Sequence, residues 1–225
     1  MSPYNYCANN PANYVDPFGL DTINVNIATR TVTRISVEGS KTHTFNINYD
    51  DKTLKSYELQ INLNGQVEIP DEGYGYGRYG EKDLNGDHYL TVEAAAALFG
   101  LAAELKYFHN GRIDFGDMSD ICGGAPGGNH KSHGGVNGRS GRCADFRYLD
   151  GNFKSFYGST SNVKFSFITN NWLYQTAYLW GFSKNYSSTV WPSCFLSNMD
   201  PNRKFRIPFP NHTTHGHFTF KKPRK

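Results

Sequence analysis

The sequence predicts an α+β fold, a small antiparallel sheet with flanking helices, preceded by a β-rich N-terminal module. Three observations predict it. Apolar and polar residues alternate in four short runs between Thr22 and Leu63, the signature of half-buried strands. At Leu90 the pattern changes to a continuous Ala-rich run of helical period. Two further alternating segments, Ala144–Tyr148 and His215–Phe220, each place polar side chains on one face and aromatic side chains on the other.

The chain divides into residues 1–20, a β-rich module at 21–70, a Gly/Tyr stretch at 71–89, and a second domain at 90–225. The first twenty residues are dense in Asn, Pro and Tyr, with turn formers too close together for a regular element. They read as an extended arm. The runs beginning at Thr22, Thr33, Thr44 and Tyr57 read as strands of a small antiparallel sheet, with turns at Glu38-Gly39, Asp50-Asp51 and Asn64-Gly65. Its polar positions are those of an ordinary solvated face, so this module reads as a scaffold or adaptor. Gly73–Gly80, where Tyr alternates with Gly, fits either a flexible connector or a binding loop. Thr91 is a fair N-cap for a helix over Val92–Tyr107, apolar enough to be buried against a sheet. A short strand follows near Arg112–Phe115, then a long Gly-rich loop, and a second helix is expected over 171–181.

Composition bounds the function. With 225 residues, 38% hydrophobic and 15% aromatic, the chain can bury a sizeable core. No run approaches the roughly 18 apolar residues of a membrane span, so no membrane insertion is expected, and the N-terminus lacks a signal-peptide pattern. A net charge of +3, with the one basic cluster at Lys221–Lys225, argues against a nucleic-acid partner. Cys7, Cys122, Cys143 and Cys194 form no CxxC pair, so a zinc knuckle is not expected. Cys122 and Cys143 bracket the Gly-rich loop and are either bridged in an oxidising compartment or two free thiols.

The chemistry lies in the histidines. Of eight, five fall in two clusters, His130-Lys-Ser-His133 and His212-Thr-Thr-His215-Gly-His217, and Asp145 lies between them in sequence. Strand alternation puts Asp145 and Arg147 on one face, and His215, His217 and Thr219 on one face of the last strand. Histidine pairs completed by a carboxylate are a common catalytic zinc set, three protein ligands with one position open. The expectation is a zinc site on the sheet face, and the other reading is a set of exposed loop histidines. Asp117 either orients a ligand or the substrate, or caps a turn. Arg142 and Arg147 flank Asp145 and suit a substrate carboxylate. Trp172, Trp180 and Trp191 are read as core packing before a substrate groove.

Two resemblances extend this reading. Asn10, Pro11, Tyr14, Asp16, Pro17, Gly19 and Leu20 resemble the N-P-x-x-Y-x-D-P-x-G-L boundary of Rhs/YD-repeat proteins. That resemblance implies a release point at Leu20-Asp21, a toxin payload from residue 21 onward, an Rhs core shell and secretion apparatus as partners, and a cognate immunity protein. Second, Gly116-Asp117-Met-Ser119, Gly123-Gly124, His130-Lys-Ser-His133, Gly141 with Asp145, and the final His212, His215 and His217 resemble the penicillin-insensitive murein endopeptidases. These belong to the lysostaphin and D-alanyl-D-alanine metallopeptidase group.

Carried over, the second resemblance implies Zn2+ held by His133, Asp145 and His217. It makes His215 the base or transition-state stabiliser, with His212 beside it and His130 as a supporting partner. The stretch Gly134–Ala144 is longer than the family spacing, which leaves open whether His130 or His133 binds the metal. Together the two resemblances imply an antibacterial effector delivered to a target cell's periplasm, where it cuts amide bonds of peptidoglycan stem peptides. A metal-dependent nuclease and a non-enzymatic surface-binding module with structural zinc are the alternatives.

Overall fold

The computed structural model describes residues 20–37, 39–81, 87–122, 124, 141–188, 207–208 and 212–221. The arm at 1–19, the loop carrying His130 and His133, Trp191, Cys7 and Cys194 lie outside the described residues.

Strands β1 (Asp21–Asn26), β2 (Thr31–Ile35), β3 (Thr42–Tyr49) and β4 (Lys52–Gln60) form one sheet in the order β2-β1-β3-β4. Alternation in β1 and β3 buries Ile23, Val25, Phe45 and Ile47 on a single face. The β1–β2 hairpin turns because the Asn26 side chain accepts from the Ala28 and Thr29 amides at 2.9 and 3.2 Å. The sheet is not wholly antiparallel as expected, since β1 and β3 run parallel. β2 folds back along one edge of β1, so β3 enters on the other edge in the direction of β1. Alternation specifies which face a strand buries and is silent on the order of its neighbours.

The second sheet is also mixed. After β5 (Gln66–Glu68), which pairs with β7 (Tyr89–Thr91), it comprises β6 (Tyr76–Arg78), β8 (Ile113–Phe115), β9 (Cys143–Arg147), β10 (Tyr186–Ser187), β11 (Ile207–Pro208) and β12 (His215–Thr219). Their order is β11-β10-β12-β9-β8-β6, antiparallel through the middle and parallel at the β6/β8 and β10/β11 ends. The Gly/Tyr stretch thus contributes a sheet strand, β6.

Helix α1 (Val92–His109) starts where the sequence places it, the Thr91 hydroxyl accepting from the Ala94 amide at 3.3 Å. It stops at Asn110, which takes a left-handed φ of 49° and donates its amide to the Leu105 carbonyl. Every residue from Val92 to Leu105 except Glu93 is buried. A helix buried on all sides needs partners on all sides. One side lies against β1 and β3, with Phe99 in ring contact with Phe45 and Tyr57 at 5.3 and 4.6 Å. Towards the other sheet, Tyr76 of β6 lies 5.9 Å from Phe99 and 6.1 Å from Phe115 of β8. Gly100 gives room to the Trp180 indole, which a Cβ there would strike. One apolar core therefore runs from Ile23 to Phe220. Helix α2 (Phe167–Leu179) begins four residues before its expected start, capped by Ser166, whose side chain accepts from the Thr169 amide at 3.3 Å. Among the described residues no helix is long and apolar enough to cross a membrane.

Two buried carboxylates organise the packing, Glu104 between the layers and Asp21 within the four-stranded sheet. Glu104 of α1 is 2% exposed and accepts from Trp180 Nε1 at 2.9 Å and from both ends of the Arg30 guanidinium in the β1–β2 turn. At the start of β1, Asp21 accepts from the Val37 amide at 2.6 Å and from Arg34, with His43 Nδ1 at 3.1 Å. Burial pushes the Asp21 carboxyl up, but these hydrogen bonds and charges outweigh it and its pKa lies below the ordinary value.

Glu104→Ala strands the indole N–H and removes the Arg30 partner. The expected loss is roughly 2 to 3 kcal/mol by chemical denaturation, less than for a fully buried pair because Arg30 is partly in water. Burial lowers the His43 imidazole below its ordinary 6.5, with Asp21 opposing. The unfolded chain therefore binds more protons just below that pH, and stability falls as the pH drops from about 6.5 to the lowered folded value. His43→Gln is expected to flatten this slope, read from denaturation midpoints between about pH 7 and about pH 5.

Candidate metal centre

Strands β9 and β12 pair antiparallel with Asp145 opposite His217, Arg147 opposite His215, and Cys143 opposite Thr219. Alternation then gathers Cys143, Asp145 and Arg147 with Thr219, His217 and His215 on one face, as expected. The opposite face is apolar. Phe146 and Phe218 stack there at 4.0 Å, and Tyr174 of α2 packs edge-on to both at 5.5 and 5.7 Å. Gly216 sits where a Cβ would run into Phe146 and the Tyr174 hydroxyl, so the spacer between His215 and His217 is required to be small.

The buried end of the polar face is a hydrogen-bonded chain. His217, 2% exposed, has Nδ1 2.9 Å from Asp145 Oδ1 and Nε2 3.1 Å from Thr219 Oγ1, and Cys143 Sγ lies 3.6 Å from the same Thr219 oxygen. An ionised carboxylate offers only acceptors, so in the neutral ring Nδ1 carries the proton and Nε2 accepts. The Thr219 hydroxyl then donates to Nε2, and its oxygen accepts from the Cys143 thiol. The four groups fix one another's orientation, ending at the Asp145 carboxylate.

The other carboxylate oxygen, Oδ2, lies 3.8 Å from His215 Nε2. His212 completes the cluster, its ring 4.9 Å from that of His215. Its segment is held by the Tyr148 hydroxyl, just past the end of β9, which donates to the His212 carbonyl at 2.8 Å and accepts from the Ser188 amide at 3.0 Å. One ligand atom each from Asp145, His212 and His215 lie within 4.8 Å of one another. Asp145 is 4% exposed, and a carboxylate so deeply buried favours a neighbouring cation.

Atoms bound tetrahedrally to one zinc at about 2.1 Å stand about 3.4 Å apart, so closure of roughly 1 to 1.5 Å suffices. Two imidazoles and a carboxylate are a donor set that suits a divalent transition metal. His217, expected among the ligands, lies outside this trio, with Nδ1 against Asp145 and Nε2 against Thr219.

Other expected residues fall at varying distances from this cluster. Asp117 borders it through its backbone: its carbonyl accepts the Asp145 amide at 2.9 Å, and the adjacent Gly116 amide donates to the Asp145 carbonyl at 2.9 Å. Arg147 lies beside His215, whereas Arg142 is exposed and contributes its carbonyl to the Phe220 amide. Trp180 is core, and Trp172 packs edge-on to His109 and Phe153 at 4.6 and 5.5 Å. Cys122 and Cys143 are not bridged to each other: Cys122 is exposed, and Cys143 is buried with its sulfur against the Thr219 hydroxyl.

Tyr79 and Tyr157 did not stand out in the sequence. Tyr79 follows β6, its ring over Gly116, where a Cβ would collide with it. Burial, reinforced by Asp145 nearby, holds the Tyr79 phenol well above its ordinary range and therefore protonated. The repeated tyrosines of the Gly/Tyr stretch were the available signal.

Alanine at His212, His215 or Asp145 is expected to abolish stoichiometric zinc binding in chelator competition. His217→Ala or Thr219→Val, which loosen the carboxylate's support, are expected to weaken it by about 10- to 100-fold. Loss at His217 with retention at His212 would restore the ligand set of the family resemblance. No protein-family model and no curated protein matches the chain, so its functional reading rests on these residues and their geometry.

Proposed function

We propose that the chain is a zinc-dependent peptidase that hydrolyses amide bonds in peptidoglycan stem-peptide cross-links. The observation that carries the reading is the convergence of Asp145, His212 and His215 beside the paired strands β9 and β12. The motif order shared with murein endopeptidases supports the substrate class, and the Rhs-like boundary at residues 10–20 supports an antibacterial effector released after Leu20. Delivery to a rival's periplasm, with a cognate immunity protein protecting the producer, completes the proposal.

Asp145, His212 and His215 would hold the metal, which when bound lowers the pKa of a water to about 7 and polarises the scissile carbonyl. His217 keeps Asp145 oriented through the Nδ1 contact, and Thr219 keeps His217 in the tautomer that this requires. Tyr79, held protonated beside Asp145, is a hydrogen-bond donor at the same face. Among the described residues three protein ligands converge, the number usual in a catalytic site, whereas a structural site usually takes four.

Digestion of purified sacculi by the zinc-loaded chain is expected to convert cross-linked muropeptide dimers to monomers, read by mass analysis. Chelation and Asp145→Ala are each expected to abolish the conversion. Unchanged muropeptides with well-folded, zinc-loaded protein would overturn the proposal.

A further inference from the structure

Arg147 ends β9, two residues beyond Asp145 on the same face, with His215 as its partner across the ladder. Its guanidinium lies over two aromatic rings, 4.1 Å from the centroid of Tyr79 and 4.7 Å from that of Tyr157. Nη1 donates to the Thr214 carbonyl at 3.4 Å. Among the described residues no carboxylate lies within ion-pair distance of Arg147, although Asp145 and Asp117 belong to the same neighbourhood.

Each of these contacts restrains the side chain without neutralising it. Ring faces attract the flat guanidinium through their quadrupole and leave N–H groups at its edge for a planar acceptor. Gly116 makes room for one of the two rings, and Tyr157, 88% exposed, brings the other in from solvent. A tyrosine so exposed gains little from burial, and its ring lies against Arg147. Two residues of strand span roughly 6.6 Å, close to the length of two peptide residues end to end, so a group held at Arg147 lies within one or two residues of a bond held at Asp145.

We propose that Arg147 is a specificity-determining residue that binds a substrate carboxylate, so that the bond cut is an amide whose amine side carries an ionised carboxylate close by. This deepens the peptidase reading and rests on it. A chain-terminal D-amino acid and the carboxylate-bearing centre of a diamino acid in a cross-link share this chemistry. Tyr79 and Tyr157 are positioning residues that hold the guanidinium in one place.

The test is calorimetric titration of the full chain, chelated to prevent turnover, with N-acetyl-D-alanyl-D-alanine and with its C-terminal amide. The carboxylate probe is expected to bind about 10- to 100-fold more tightly than the amide, the range for hydrogen bonds to a charged group. Arg147→Gln is expected to erase that preference with zinc affinity and thermal midpoint unchanged, and Arg147→Lys to retain part of it. Tyr157→Ala, at a position too exposed to affect folding, is expected to weaken the carboxylate probe several-fold and leave the amide unaffected. Equal binding of the two probes to the unsubstituted chain, or a preference that survives Arg147→Gln, overturns the assignment. Failure of the chain to cut sacculi would instead strike the peptidase reading, and a preference for the carboxylate probe would still stand.

Discussion

The register of β9 against β12 is the constraint on which the site depends. With Asp145 opposite His217, every polar side chain of both strands faces one way and every aromatic side chain the other. A slip of one residue would turn the histidines into the Phe146–Phe218–Tyr174 stack and put phenylalanines in the site. The apolar face resists that slip, since moving two stacked rings into water and imidazoles into the core is costly in both directions. The aromatic packing under the sheet thereby sets the geometry of the ligands above it. Gly216 belongs to the same device, because only a residue without a side chain lets Tyr174 and Phe146 close beneath the two histidines.

Support for that register comes from further away. The Asp145 backbone is gripped by the Gly116–Asp117 segment on the side away from β12, so the carboxylate is fixed by hydrogen bonds on both edges of its strand. That segment follows β8, which pairs with β6, and the Tyr76 side chain of β6 meets α1. Helix α1 carries the load onward to the four-stranded sheet, with Glu104 linking the β1–β2 turn to Trp180 just after α2. A buried carboxylate bonded to an indole and a guanidinium costs desolvation, which its three donors offset only in one arrangement. Such a group specifies how the layers meet more than it stabilises them.

Much of this was legible in the residues. Thr91 as N-cap, the buried Ala-rich helix and the face shared by His215, His217 and Thr219 follow from local chemistry and period, which a sequence displays directly. Strand order does not. Nothing in the alternation of β1 and β3 distinguishes a parallel neighbour from an antiparallel one, and β6, three residues inside a Gly/Tyr run, is too short to carry a period. At the site, the cluster of Asp145 with histidines was readable from composition and spacing. The placement of His212 and His215 in the trio around Asp145, with His217 against Thr219, was not, because it depends on Thr219 reaching His217 Nε2 and on Tyr148 holding the His212 backbone. The rings around Arg147 come from positions 79 and 157, on segments far apart in the chain, and only the fold joins them.

The burial of α1 on all sides has a consequence for how such a chain can be exchanged between proteins. A protein assembled from interchangeable pieces needs joints at which little apolar surface is uncovered. Here a cut between the four-stranded sheet and the site-bearing sheet would uncover one side of an alanine-rich helix along much of its length, together with the carboxylate of Glu104. At the start of the first strand, Asp21 closes the four-stranded sheet with its own hydrogen bonds from Arg34 and Val37. The scaffold and the site, joined by one apolar core, therefore form a single inheritable unit.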